Sequence, residues 1–114
     1  MEIKKVPKTK LVEEAKKLRS ERLIAISCVD EGNFRVLYHF ETKKGIINLE
    51  VKVPKEKPII PTIMTVFPQA ELFEREAHDL FDVEFEGNPR LHEPVFLPDD
   101  YKGKGPYLKE VYNA

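Results

Sequence analysis

The sequence is poor in the residues that most often announce a function. Of its 114 residues one is cysteine, Cys28. A lone thiol closes no internal disulfide and cannot by itself hold an iron–sulfur cluster, which ordinarily takes four cysteine ligands, so within the apolar run Ile26–Val29 it reads as a small core residue. Glycine is scarce, at five residues, and none of it builds a phosphate-cradling loop. No Cys-x-x-Cys pair, serine-nucleophile elbow or internal repeat is present. No apolar run approaches the roughly 18 residues of a membrane span, and the lysine-rich start lacks the apolar centre of a signal peptide. The expectation is a chain made and kept in the cytoplasm.

What is present is charge. With 41% hydrophobic and 34% charged residues the chain reads as one folded domain with a well-solvated surface. The net charge of −1 is unevenly spread: residues 1–22 carry eight basic and four acidic side chains, residues 71–100 two basic and ten acidic. An acidic stretch repels phosphate backbones, which argues against a nucleic-acid partner and suits a basic protein surface instead. The lysine-rich start reads as a solvated helix face.

Local pattern predicts an α+β fold. After Pro7, Thr9 is placed to cap an amphipathic helix with Leu11, Val12, Ala15 and Leu18 on one side. Leu23–Val29 is a strand-like apolar run that turns at Asp30–Asn33. Phe34, Val36, Tyr38 and Phe40 then alternate with Arg35, Leu37 and His39, and Ile47, Leu49, Val51 and Val53 alternate with Asn48, Glu50 and Lys52. Three such strands on short turns make an antiparallel meander with one face for helices and one for water or a partner. Four prolines break residues 54–68, where Ile63–Phe67 fits a short helix or a strand and the helix, capped by Thr62, is the preferred reading. A second helix follows from Gln69, and Val83–Phe85 is expected as a fourth, edge strand. The chain is thus a single domain over 1–114: an N-terminal helix region (1–22), a core (23–86) with an antiparallel sheet of three to four strands, and an extended irregular segment (87–114). That last segment holds Leu91, Val95, Phe96, Leu97, Tyr101, Tyr107, Leu108, Val111 and Tyr112 among seven glycines and prolines, the pattern of a segment that orders on a surface, either this domain's own sheet or a partner's.

The second helix carries the most distinctive residues. Leu72, Phe73, Ala77, Leu80 and Phe81 form an apolar stripe that encloses Glu76, while Glu71, Glu74 and His78 point away. A carboxylate in a core must be paired or hydrogen-bonded. Arg75 stands one turn from both Glu71 and Asp79, so ion pairs are geometrically available. One reading makes Arg75, Glu76 and Asp79 a structural buttress. A second is a small metal-dependent enzyme using Glu74 and His78, at i and i+4, with Asp79 and with His92 returning through the loop.

The run ELFEREAHDLFDVEFEGNP, followed by LPDDY, resembles the signature of the thirty-kilodalton subunit of respiratory complex I, also called the C subunit of NADH:quinone oxidoreductase. The matching residues include Ala70, Phe73, Glu74, Arg75, Glu76, Asp79, Leu80, Phe81, Phe85, Gly87, Pro89, Leu91, Leu97, Pro98, Asp99, Asp100 and Gly103, with Tyr101 completing the second motif. Weaker likeness reaches upstream over about three quarters of the chain and leaves the N-terminal segment outside. The chain departs from the pattern at Leu72, where an aromatic is usual, at Asp82 (glycine), at Asn88 (histidine) and at Arg90–Glu93. These departures favour the relatives of complex I: membrane-bound nickel–iron hydrogenases, formate hydrogenlyases or ferredoxin-dependent reductases. The resemblance implies a non-catalytic assembly subunit on the cytoplasmic side of the cell membrane, peripheral and touching the membrane only through the complex. It implies no cofactor or metal of its own. Iron–sulfur clusters, and nickel–iron in the hydrogenase branch, would belong to partner subunits: a hydrogenase-like large catalytic subunit and an iron–sulfur small subunit. Pro89–Tyr101 would be the contact strip.

Overall fold

A computed structural model describes residues 2–93 of the chain. Strand β1 (Glu2–Lys5) leads through a 3-10 turn at Lys8–Lys10 into helix α1 (Leu11–Lys17). Strands β2 (Arg22–Glu31), β3 (Asn33–Thr42) and β4 (Gly45–Pro54) follow, then the short strand β5 (Ile59–Pro61), helix α2 (Ala70–Phe81) and strand β6 (Glu84–Glu86).

The expected meander is there. β2 pairs antiparallel with β3 and β3 with β4, with Tyr38 opposite both Ile26 and Leu49. Alternation sets the faces: Phe34, Val36, Tyr38 and Phe40 are buried, while Arg35, Leu37 and His39 are half-buried on the other side. The sheet is nevertheless mixed, because β1 joins the far edge of β4 in parallel, giving the order β1-β4-β3-β2. The helix-only reading of residues 1–22 is corrected accordingly. Four charged or exposed residues form β1 because the β4 edge offers unpaired backbone groups, and the Val6 amide continues the ladder to the Glu50 carbonyl at 2.8 Å. Lys4 then reaches Glu14 of α1 at 2.6 Å.

Three further expectations change. Thr9 lies in the 3-10 turn and caps nothing; Lys10 stands at the N-cap of α1 without a side-chain bond. The segment after Pro61 is a hydrogen-bonded turn, not a helix, closed by Val66 and Phe67 amides on the Ile63 carbonyl. The Thr62 hydroxyl does cap that turn, accepting the Met64 amide at 3.1 Å. β6 does not extend the main sheet: it pairs in parallel with β5, Ile60 opposite Phe85, as a separate two-stranded ribbon.

α2 lies across the inner face of the meander, where Phe81 meets Phe34 edge-on with centroids 6.0 Å apart. Beneath it Phe40 and Phe67 pack at 5.3 Å. Cys28 is half-buried against this core. On the opposite face the polar residues form their own network. Ser27 bonds His39 Nε2 at 2.7 Å, His39 Nδ1 bonds Asn48 Oδ1 at 2.5 Å, and Asn48 Nδ2 donates to the Glu2 carbonyl at 3.3 Å. His39 is structural, as its place on the strand suggests.

Candidate functional site

The acidic anomaly of α2 is real, but it is Glu74 and not Glu76. The helix is rotated by about 60° from the expected stripe, at 100° per residue, so that Ala70, Glu74 and Ala77 face inward with Phe73 and Phe81 packed beside them. Glu74 is fully buried. Leu72, placed in the stripe by its hydrophobicity, is 42% exposed, and Glu76 is half-buried on the flank.

Three donors from outside the helix answer the Glu74 carboxylate. The Thr62 hydroxyl donates to Oε1 at 2.5 Å, Asn88 Nδ2 to the same oxygen at 3.1 Å, and the Ile63 amide to Oε2 at 3.0 Å. Burial pushes this carboxyl above its ordinary value, and the three donors only partly pull it back. One side chain thereby joins α2, the turn after β5 and the loop after β6. Buried side chains met by donors on several elements fix those elements relative to one another.

The loop after β6 is shaped for this contact. Gly87 sits at φ +97°, and a Cβ there would stand 2.9 Å from Thr62 Cγ2, so both the backbone and the space require glycine. Asn88 is buried; it also donates to the Glu71 carbonyl at 3.3 Å, and its Oδ1 accepts the Arg90 amide at 3.1 Å. Arg75, 8% exposed, lies between helix and loop, 3.5 Å from Glu71 and donating to the Glu93 carbonyl at 3.3 Å. The expected Glu71–Arg75 pair is therefore present. Phe85 is buried in β6 beside Ile60 of β5, and Pro89 is exposed in the loop. Asp79 lies half-buried on the outer side of α2, and partial burial followed by the negative charge of Asp79 pushes the Glu76 carboxyl upward. Leu97, Pro98, Asp99, Asp100 and Tyr101, with most of the contact strip, fall outside the described residues.

The metal trio Glu74, His78 and Asp79 does not assemble, because Glu74 turns into the core. His78 instead meets His92, their rings stacked at 4.9 Å, with Glu84 beside them. Sequence reasoning missed Thr62, Ile63 and Asn88 as partners of the carboxylate. The departure from histidine at Asn88 was the available signal, since it replaces a ring by an amide with a donor to spare.

A fully buried carboxylate met by three donors from two other segments is a brace between elements. The chain belongs to the family of the respiratory-chain NADH dehydrogenase 30 kDa subunit, whose profile matches residues 4–113. The match therefore includes most of the N-terminal segment that the motif comparison left outside. The C subunit of the NADH-quinone oxidoreductase of Chloroherpeton thalassium is 34% identical over 110 residues, 89% of this chain and 45% of that protein. The C subunit of the F(420)H(2) dehydrogenase of Methanosarcina mazei is 29% identical over 98 residues, 82% of this chain and 61% of that one. In solved structures, a chain of the membrane-bound sulfane sulfur reductase, an archaeal respiratory membrane complex, superposes with a TM-score of 0.77 at 28% identity, covering 98% of this chain and 77% of that one. The chain spans less than two thirds of the length of the Chloroherpeton and Methanosarcina relatives. No helix among the described residues is long and apolar enough to cross a membrane.

Proposed function

We propose that this chain is a non-catalytic assembly subunit of a membrane-bound oxidoreductase related to complex I, docking on the large catalytic subunit beside the iron–sulfur small subunit. The observation that carries the reading is the family match over nearly the whole chain, supported by the likeness to a chain of an archaeal respiratory membrane complex. In this role the chain carries no redox centre. Iron–sulfur clusters, and nickel–iron in a hydrogenase-type complex, reside in its partners. It sits peripherally on the cytoplasmic side and meets the membrane through the complex.

The docking surface combines the outer side of α2 with the strip from Pro89 to Tyr101. Leu72 is one of only two large hydrophobic residues exposed among the described residues, and Glu76 and Asp79 stand on the same side of the helix. An exposed apolar residue ringed by carboxylates suits a basic partner surface with an apolar pocket. The brace at Glu74 acts indirectly, holding α2 against Asn88 at the start of the loop after β6.

Affinity capture of the tagged chain from detergent-solubilised membranes of its native host, followed by mass spectrometry, tests the reading. Co-recovery of a large hydrogenase-like or quinone-reductase-like subunit with an iron–sulfur subunit is expected. The double substitution Leu72→Asp with Glu76→Lys should lower that recovery about tenfold or more and leave the circular dichroism melt unchanged. Recovery of the chain alone would overturn the proposal.

A further inference from the structure

We infer that His78, Glu84 and His92 form a binding site for one divalent transition metal of zinc type, which pins the loop after β6 to the end of α2. The three residues come from three elements: the last turn of α2, strand β6 and the loop that follows it. Each offers one ligand atom, and these atoms lie within 4.8 Å of one another. Zinc binds imidazole nitrogen and carboxylate oxygen at about 2.0–2.2 Å, so a rotamer adjustment of the exposed His92 ring closes the set.

One ligand is oriented before any metal arrives. His78 Nδ1 donates to the Val83 carbonyl at 2.9 Å. That bond fixes the ring and leaves Nε2 with its lone pair, the support that ligating histidines ordinarily have. The His92 ring stacks on His78 with 12° between planes and must turn out of that stack for both in-plane lone pairs to meet one ion. Its Nε2 lies 3.1 Å from each oxygen of Glu84, so the second imidazole and the carboxylate already converge. An ion replaces that hydrogen bond by two coordinate bonds. A cleft lined by Glu84, Asn88, Arg90 and His92 opens alongside and admits solvent, leaving a water to complete a tetrahedron.

Chemistry selects the metal class. Two imidazoles with one carboxylate suit zinc, cobalt or nickel, whereas calcium and magnesium prefer all-oxygen shells. Eight acidic against two basic side chains in residues 71–93 add an attractive field for a cation. Zinc is redox-silent, so the site supplies no electron-transfer centre.

The test uses the full chain, stripped of metal by chelator and dialysis. Titration with zinc chloride by calorimetry, and with cobalt(II) followed by its d–d absorption, should give one saturable site with tetrahedral cobalt bands. His92→Ala, at an exposed side chain, should weaken zinc binding at least tenfold and leave the metal-free melting temperature unchanged. His78→Ala should weaken it equally, whereas His39→Gln, at the remaining histidine, should leave it intact. Zinc should raise the melting temperature of the unsubstituted chain and not of His92→Ala. Absence of a saturable one-to-one site, or binding indifferent to both His78→Ala and His92→Ala, would overturn the inference and leave His92 and Glu84 as a surface ion pair.

Discussion

Two carboxylates, Glu74 and Glu50, are almost equally buried, at 0% and 3% exposed, yet the molecule answers them in opposite ways. Glu74, on the helix side of the sheet, is met by three neutral donors, one of them a backbone amide. Glu50, on the other face, is met by a charge: Arg35 donates through Nε at 2.9 Å and Nη2 at 2.6 Å to the same oxygen. Its second oxygen is buried with no partner among the described residues. The difference lies in what can be exchanged. An ion pair of two side chains can be replaced by two apolar side chains of similar volume at little cost. A carboxylate that satisfies a main-chain N–H cannot, because the amide of Ile63 stays behind whatever is done to position 74. Glu74 is the more constrained residue although it carries no counter-ion.

The largest break in this comparison is Glu74→Ala. It strands three donors in the interior and should cost about 3 kcal/mol of unfolding free energy in urea titration. Glu74→Gln should cost less, about 1–2 kcal/mol, since its amide nitrogen must face one of the donors. The pH dependence has a definite sign. Burial raises the folded carboxyl above its ordinary 4.5, so the native state binds its proton more tightly than the unfolded chain. The stability this contributes is full below pH 4.5 and is lost as pH rises through the raised folded value. The gap between the unsubstituted chain and Glu74→Gln should therefore narrow from about pH 4 towards neutrality; a widening gap would mean that the three donors outweigh burial.

The opposite solution breaks more gently. Arg35→Ala leaves the Glu50 charge buried, but Arg35 is itself 25% exposed and water can follow, so about 2 kcal/mol is expected by the same titration. Arg35→Met combined with Glu50→Leu should recover nearly all of that loss. If the double variant were as unstable as Arg35→Ala, the exchangeability argument would fail. The smallest effect is a gain. Asp82 closes α2 at φ 63°, the left-handed region, and Asp82→Gly should stabilise the chain by about 0.5–1 kcal/mol, read as a small rise in urea midpoint.

The two regions also differ in how far they can be read from the sequence. The faces of β3 and β4 follow from the alternation of Phe34, Val36, Tyr38 and Phe40 with polar residues, because strand period alone assigns them. The existence of α2 is equally plain, but its rotation is not. Hydrophobicity favours Leu72 and disfavours Glu74, and the donors that reverse this choice lie 11 to 14 residues away in sequence. No local pattern contains them. β1 is hidden for another reason: its four exposed residues contribute backbone pairing and little side-chain burial. β5 and β6, three residues each, pair with one another as a parallel ribbon that no short turn announces. Family resemblance selects Glu74 and Gly87 without showing why they matter; the 2.9 Å approach to Thr62 supplies the reason for the glycine.

The parallel pairing of β1 with β4 has a consequence for the order in which the chain is made. The Glu2 carbonyl meets the Asn48 side chain across 46 residues of sequence, and the ladder between them is impossible until Gly45–Pro54 exists. On the ribosome β1 thus emerges well before its backbone partner, while the β2–β3 hairpin can close as soon as its own residues are out. β1 is necessarily a latecomer to its own sheet. Its lysines suit that delay, because repulsion between like charges discourages two nascent copies from pairing with each other while they wait.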